Sequence, residues 1–126
     1  MAGYIFTRAA DLYGRCISLI GRGDPPQADG SSFFVDVAAV RTTANHHLIQ
    51  QGLAYPTYYR ALFSDLRNEL TAVAKQARDA GLGVWASDAT TTGFDVNGIA
   101  SLEDDIVIVP SCSAASWTTC ISETIR

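Results

Sequence analysis

An amphipathic segment near the centre of the chain constrains the fold most. Its apolar residues follow 4-4-3-4 spacing and fall on one helical face: Leu62, Leu66, Leu70, Val73 and Ala77. The helix is predicted to begin at Ser64 or Asp65 and to end at Gly81 and Gly83. Because one face is apolar and the other is charged, this helix needs a second element to cover it. The chain has 126 residues, of which 48% are hydrophobic, so it is long enough for one domain with such a core.

A second helix is predicted on the N-terminal side of the first. The Asp36 carboxylate can accept hydrogen bonds from the free amides of an opening turn, and Gly52 supplies a stop. The apolar face of this helix would carry residues at helical spacing: Val37, Val40, Ala44, His47 and Leu48. The neighbouring His46 and His47 would point about 100° apart, so they cannot share one metal ion or one substrate atom. We expect one imidazole in the packed face and the other in solvent.

Short β-strands are predicted in the N-terminal third. Gly3–Thr7 and Arg15–Ile20 have the pattern of strands, and Ser32–Val37 follows a loop rich in glycine and proline. We expect Arg15–Ile20 and Ser32–Val37 to pair as a hairpin with a long loop. Further along, Ile106–Val109 is a four-residue β-branched run typical of a buried strand. Together the elements predict an α+β fold with two or three short strands and two helices.

Composition and charge exclude several classes of protein. Nine Lys and Arg residues against thirteen Asp and Glu residues give a net charge of -4, which disfavours non-specific duplex binding. No apolar run approaches the length of a membrane span, and the N-terminal residues lack the pattern of a signal peptide. No membrane partner is therefore expected, and the default localisation is cytoplasmic. Three cysteines without a C-x-x-C pair argue against a disulfide scaffold or a structural zinc site, and Cys16 is expected to be a buried, inert thiol.

The segment Asp11-Leu12-Tyr13-Gly14-Arg15 is the strongest candidate for a binding site. Its arginine, at the mouth of a strand, offers a rigid fork to a phosphate, and its tyrosine can stack on a base or a sugar. A surface ion pair between Asp11 and Arg15 explains the same residues without a ligand. Asp24 and Asp29 leave a similar choice between a hard-cation site and a solvated loop, and the solvated loop is favoured.

Three motifs that occur in order along the chain carry a family resemblance. The first is the D-x-Y-G-R pattern of Asp11–Arg15, and the second is the L-[IV]-x-x-G-[LY]-A pattern of Leu48–Ala54. The third is Ala77-Arg78 followed by Gly83-Val84-Trp85, a helix end with a tryptophan anchor. Together they resemble the staphylococcal nuclease (thermonuclease) family over Asp11–Asp88, about 60% of the chain.

The resemblance implies a fold and a chemistry. Members of that family share an OB-fold barrel with helices packed against it, and they hydrolyse phosphodiesters of DNA and RNA with calcium held by carboxylates. By its position, Arg15 resembles one of two catalytic arginines that stabilise the pentavalent phosphate. Tyr13 and Tyr58 resemble substrate-binding tyrosines that line the nucleotide site.

The same resemblance implies that part of the family's site is missing. The metal-binding aspartates, the catalytic glutamate and the other arginine belong to strands that precede the D-x-Y-G-R motif, whereas only ten residues precede Asp11 here and none is Asp or Glu. We therefore expect a truncated C-terminal half of a nuclease domain. It would form a partial OB-fold barrel without metal ligands, with weak or no binding to nucleic acid and little activity alone. An unpaired sheet edge predicts self-association, or complementation by a missing N-terminal half.

The resemblance also divides the chain. Residues 1–88 are expected to be the C-terminal portion of the nuclease domain, and residues 89–110 a linker with a short strand extension. Bacterial members with the linker written here as Thr91-Thr92-Gly93-Phe94 continue to a strand that ends in P-K-L-F-R-R-L-V-D-Y-L. A one-base shift in GC-rich codons after that proline spells S-C-S-A-A-S-W-T-T-C, which is the sequence of Ser111–Cys120. Residues 111–126 are therefore predicted to be an irregular, out-of-frame tail.

Two other interpretations stay open. An OB-like barrel without an active site is compatible with a non-catalytic module that binds single strands or a protein, and several tyrosines could stack on bases: Tyr13, Tyr55, Tyr58 and Tyr59. The net charge of -4 favours the protein partner. The other interpretation is a gene fragment without function. Because intact relatives are often exported, the localisation is left undecided.

Overall fold

The described part of the chain is α+β, as the sequence predicts. The computed structural model describes residues 2–59, 62–90, 92–95 and 97–98. It contains a two-stranded antiparallel sheet, three α-helices and a 3₁₀ turn, in the order β1 (Gly3–Ala10), β2 (Cys16–Arg22), α1 (Val37–Arg41), α2 (Ala44–Gln50), α3 (Ser64–Asp79) and the 3₁₀ turn (Gly83–Ala86). The predicted strand Ile106–Val109 and the predicted tail, residues 111–126, lie outside the described residues.

The two strands form a tight hairpin with each other. Gly3 pairs with Arg22 at one end and Ala10 with Cys16 at the other, with one β-bulge after Thr7. Cys16 is exposed, so the expectation of a buried thiol is wrong. The reason is its position at the turn end of the hairpin, beyond the sheet residues that pack on the helices.

The segment Ser32–Val37 does not form a strand, and the predicted hairpin with a long loop is wrong. The Asp36 carboxylate accepts the backbone N–H of Ala39 at 2.8 Å, so a helix begins at the next residue. The β1–β2 connection of five residues also costs less closure entropy than a long loop. Phe33 still packs on the sheet, because its ring stacks on Phe6 with 4.9 Å between centroids.

The helix predicted between Asp36 and Gly52 is broken into two. Thr43 has extended backbone angles, with φ -82° and ψ 152°, and its hydroxyl accepts the backbone N–H of His46 at 3.3 Å. The same hydroxyl donates to the Val40 carbonyl at 2.6 Å. Thr43 thus pairs the Val40 carbonyl at the end of α1 and the His46 N–H at the start of α2, and these two hydrogen bonds stabilise the break.

The break changes which residues face the core. The buried face is built from Val40, Thr43, His46 and Ile49. His47 and Leu48, predicted on the apolar face, are exposed, because residues on either side of the break no longer share one helical phase. The expectation of one packed and one solvated imidazole is confirmed, with His46 packed and His47 solvated.

The apolar stripe of α3 is confirmed, and it forms the centre of the core. Its buried residues are Leu66, Leu70, Val73, Ala74 and Ala77. All of them except Ala77 form one cluster with Val40 of α1 and Ile49 of α2, while the hairpin contributes the partly buried Leu19. Among the described residues, no helix has the length and apolarity needed to cross a membrane.

The end of α2 meets the 3₁₀ turn at two glycines. Gly52 and Gly83 have positive φ values of 67° and 52°, and the Val84 N–H donates to the Gly52 carbonyl at 2.9 Å. A Cβ on either glycine would lie 2.2 Å from a carbonyl oxygen of the facing segment. This close approach seats Trp85 against the core, where its ring meets the ring of Tyr55 edge-on at 4.7 Å. The predicted tryptophan anchor is confirmed.

Candidate nucleic-acid interface

The candidate arginine lies in the turn of the β1–β2 hairpin. The Asp11 carboxylate closes this turn: Oδ1 accepts the backbone N–H groups of Tyr13 and Arg15 at 2.9 Å, and Oδ2 accepts Arg15 Nε at 2.6 Å. Gly14 has a φ of 75°, which glycine adopts without a steric penalty. The backbone amide of Arg15, helped by its guanidinium and by the Tyr13 amide, holds the pKa of Asp11 below its ordinary value. Asp11 therefore serves both the turn and the orientation of Arg15.

The Arg15 side chain reaches solvent beside an exposed aromatic ring. It is 73% exposed, and its two terminal nitrogens have no hydrogen-bond partner within the described ranges. The Tyr13 ring, itself 84% exposed, has its centroid 5.2 Å from the guanidinium carbon. The Arg15 guanidinium thus keeps its ion pair with Asp11 and still has an open face for an anion, because the ion pair uses only Nε.

The third candidate, Tyr58, lies in a separate groove. This hairpin groove, as we name it, has a volume of about 840 Å³ and lies between the hairpin, residues 54–59 and α3, with Phe6, Leu19, Phe33, Tyr55, Tyr58 and Phe63 in its lining. The Tyr58 hydroxyl forms a 2.8 Å hydrogen bond with Thr71 of α3. Tyr13 and Arg15 do not line the groove. The structure therefore brings Arg15 and Tyr13 together but does not join Tyr58 to them.

The described residues near Arg15 do not fit a calcium ion, which the family resemblance implies. Calcium takes six to eight oxygen ligands, whereas Asp11 is the single carboxylate of the turn and already accepts three hydrogen bonds. No group of three or more His, Cys, Asp or Glu side chains that could hold a metal occurs in the part of the chain that the structure describes. Asp24 and Asp29 are exposed in the loop after β2, as a solvated loop requires.

A charged cluster that the sequence did not predict joins the three helices. Glu69 of α3 accepts Arg41 Nε at 2.7 Å and Arg41 Nη2 at 2.9 Å, and its Oε1 lies 3.1 Å from His46 Nε2. The hydrogen bonds from Arg41, with a smaller contribution from His46, lower the pKa of Glu69 to about 2. Glu69 follows Leu66 by three residues and so borders the apolar stripe of α3, which is the signal that could have revealed it.

Comparison with known protein families identifies the class to which the fold and the turn belong. Residues 5–87 match the family described as staphylococcal nuclease homologue, a nuclease-type domain with an OB-fold. The match covers well over half of the 126 residues, so the chain belongs to this family, whose members generally depend on calcium. Comparison with curated proteins and with solved structures finds no match. The family resemblance carried by the three sequence motifs is thereby confirmed.

Proposed function

We propose that this domain contacts the phosphodiester backbone of a single-stranded nucleic acid through Arg15, while Tyr13 stacks on a base or a sugar. The observation that carries the proposal is the anchored guanidinium: Asp11 holds Nε at 2.6 Å, and the terminal nitrogens face solvent. An arginine already fixed in direction loses less rotamer freedom when it binds a phosphate. Membership of a nuclease family supports a phosphodiester as the ligand.

The chemistry that Arg15 can supply is charge stabilisation. When a phosphodiester is attacked, negative charge grows on the phosphoryl oxygens, and a fixed guanidinium beside them stabilises that charge. Activation of a water molecule needs a separate base or metal, and Asp11 is engaged by three donors. We therefore propose that the ancestral reaction is calcium-dependent hydrolysis of DNA or RNA, and that this chain alone binds substrate better than it cleaves it.

A titration with labelled single-stranded DNA at two salt concentrations tests the binding step. We expect binding that weakens as salt rises, and we expect Arg15→Ala to weaken it severalfold and to reduce the salt slope by roughly 0.7, the value for one lost phosphate contact on a single strand. Arg78→Ala is the matched control, because Arg78 is also exposed and its only described ion pair is a 3.5 Å contact with Asp79. An equal loss in both variants would show that Arg15 is not a specific contact.

A plasmid-nicking assay with calcium and with a chelator tests the catalytic step. We expect a nicking rate close to background in both conditions for the wild-type chain, and no further loss in Arg15→Ala. Robust calcium-dependent nicking that disappears in Arg15→Ala would contradict the expected inactivity and would make Arg15 a catalytic residue.

A second candidate function is a non-catalytic module that binds a protein, and the hairpin groove favours it. The groove is lined mainly by apolar and aromatic side chains, and the net charge of -4 opposes nucleic-acid binding. In this interpretation the hairpin groove takes part of a second chain, either another copy of this chain or a different protein. DNA binding that is absent at both salt concentrations would favour this candidate.

A further inference from the structure

The outer edge of β1 has backbone groups available for pairing with another strand. The Ala2 carbonyl accepts the Gly23 N–H at 3.0 Å, so Ala2 and the alternate residues that follow it direct their backbone groups at β2. The backbone groups of Gly3, Ile5 and Thr7 therefore point away from β2. None of them has a hydrogen-bond partner among the residues that the structure describes. This edge can form a ladder of hydrogen bonds with an added strand.

The opposite edge of the hairpin is already covered. The Ile20 N–H donates to Asn45 Oδ1 at 2.8 Å, and Asn45 Nδ2 donates to the Ser18 carbonyl at 3.4 Å. Next to them, Gly21 pairs with Thr43 in an isolated antiparallel bridge. The helix α2 and the residue before it thus occupy the β2 side. Within the described ranges, an incoming strand finds its free edge at β1.

The hairpin groove follows this free edge. Five consecutive residues of β1, Ile5–Ala9, contribute to its lining. Successive side chains of a strand point to opposite faces, so a groove that reaches all five residues meets the strand along its edge as well as on one face. Apolar surface is open on both sides of this edge, because Ile5 is 59% exposed and Phe63 in the groove lining is 47% exposed.

Arg8 determines the charge that a partner should carry. Its guanidinium lies 4.1 Å above the Phe63 ring and forms no ion pair with a carboxylate of the described residues. Asp29 is the single carboxylate in the described lining of the groove, and it does not pair with Arg8. An acidic side chain beside Arg8 would supply the missing opposite charge.

We propose that the β1 edge binds an extended segment of a different protein as a third, antiparallel strand, with an acidic residue beside Arg8. The proposal rests on the second candidate function, the module that binds a protein, and specifies its mode of recognition. Apolar residues two and four positions after the acid would then lie beside Phe6 and Tyr4, whose rings contact each other at 5.0 Å.

A second copy of this chain is a less suitable occupant of the same edge. The strand β1 has the sequence G-Y-I-F-T-R-A-A and contains no carboxylate. When two copies of β1 pair with each other, neither guanidinium of Arg8 gains an opposite charge from the facing strand. Charge complementarity therefore favours a partner strand with an acidic residue.

Amide hydrogen exchange of the full chain by NMR, with the capped synthetic peptide D-T-V-T-V-T, tests the pairing. We expect saturating peptide to slow exchange of the Ile5 and Thr7 amides at least about tenfold. Unchanged exchange of both amides would overturn the proposal. So would slow exchange before peptide is added, because the edge would then be occupied already. Protection that rises with protein concentration would identify a second copy as the occupant.

Methylated peptides distinguish strand addition from apolar contact alone. N-methyl groups on the second and fourth peptide residues remove the N–H groups that would face β1, and they should weaken binding at least about tenfold. N-methyl groups on the third and fifth residues are the matched control, with an expected loss below about threefold. Equal binding of both peptides, with shifts in the groove amides, would overturn strand addition but leave the second candidate function standing. No shift in any groove amide would count against both.

Charge variants test the position of the acidic residue. The wild-type chain should bind D-T-V-T-V-T about three- to tenfold more tightly than K-T-V-T-V-T, and Arg8→Glu should reverse this preference. Arg22→Glu is the matched control, because Arg22 is exposed and pairs with Gly3 at the other end of the hairpin. It should keep the wild-type preference. The same preference in Arg8→Glu as in wild type would contradict the contact with Arg8.

Discussion

At the scale of single residues, Glu69 has the most consequential environment in the described domain. Its carboxylate is 14% exposed and binds side chains from two other helices, Arg41 of α1 and His46 of α2. A partly buried carboxylate is tolerated here because each oxygen has a donor. The cluster thereby fixes the positions of α1 and α2 on α3. An apolar side chain in place of Glu69 would leave His46 unpaired.

The pKa of Glu69 predicts an acid-sensitive component of stability. Its folded-state pKa of about 2 lies below the ordinary value of 4.5, so the stabilisation is complete above about pH 4.5 and is lost as the pH falls towards 2. Glu69→Gln should lower the free energy of unfolding by about 1–3 kcal/mol at neutral pH. The difference from wild type should vanish near pH 2, as measured by urea unfolding followed by circular dichroism.

Asp79→Asn is the control for this measurement, because it removes an exposed carboxylate from the same helix. We expect it to change the stability by less than about 0.5 kcal/mol at every pH. A constant difference between Glu69→Gln and wild type from neutral pH down to pH 2 would show that the effect comes from packing and not from the charge.

At the scale of elements, the junction of α2 with the 3₁₀ turn allows a prediction with an internal control. Gly52→Ala combines a positive φ with a Cβ 2.2 Å from the Leu82 carbonyl oxygen, whereas Gly81→Ala has a similar φ of 62° and no atom within 4 Å of the new Cβ. We expect Gly81→Ala to cost about 1 kcal/mol and Gly52→Ala at least about 2 kcal/mol more, by thermal or urea unfolding. Equal losses of stability in the two variants would mean that the segments around Gly52 and Leu82 separate readily.

The elements also show how much of this fold can be predicted from sequence. The helix α3 was predictable because its stripe, from Leu62 to Ala77, repeats for four turns without interruption. Asp36 and Gly52 were predictable as a start and a stop because capping depends on local chemistry. The break at Thr43 was not, since it depends on a buried hydroxyl that serves both α1 and α2, and this burial is a tertiary property.

Strand pairing and the candidate site were predictable to different degrees. The sequence indicated the strand that follows Arg15 but assigned it the wrong partner, because a strand pattern does not specify which edge it joins. Arg15 and Tyr13 were singled out as neighbours, and they are neighbours in space since one turn contains both. The separation of Tyr58 from them could not be predicted, because it depends on where residues 54–59 pack relative to the hairpin.

At the scale of the whole molecule, the apolar core is distributed unevenly. All seven buried apolar side chains of the described part come from the three helices: Val40, Ile49, Leu66, Leu70, Val73, Ala74 and Ala77. The hairpin instead exposes Ile5 and Ile20, adds the partly buried Leu19 to the core, and contacts α2 through polar groups such as the 2.8 Å bond from the Ile20 N–H to Asn45. Because stabilisation scales with the apolar area removed from water, the helices carry most of the stability.

This distribution predicts that the hairpin opens before the helices unfold. In native-state hydrogen exchange, α3 amides should exchange only through global unfolding, and β1–β2 amides through a local opening of lower free energy.

Three variants test this order of opening. Leu70→Ala, which empties a buried site, should lower the free energy of α3 exchange by about 3 kcal/mol. Asn45→Ala, which removes the acceptor of the Ile20 N–H, should lower only that of the hairpin, by about 1–2 kcal/mol. His47→Ala, an exposed change on the same helix, should alter neither. If Asn45→Ala lowered both values equally, the hairpin and the helices would form one cooperative unit, and the polar contacts at Asn45 would support the whole domain.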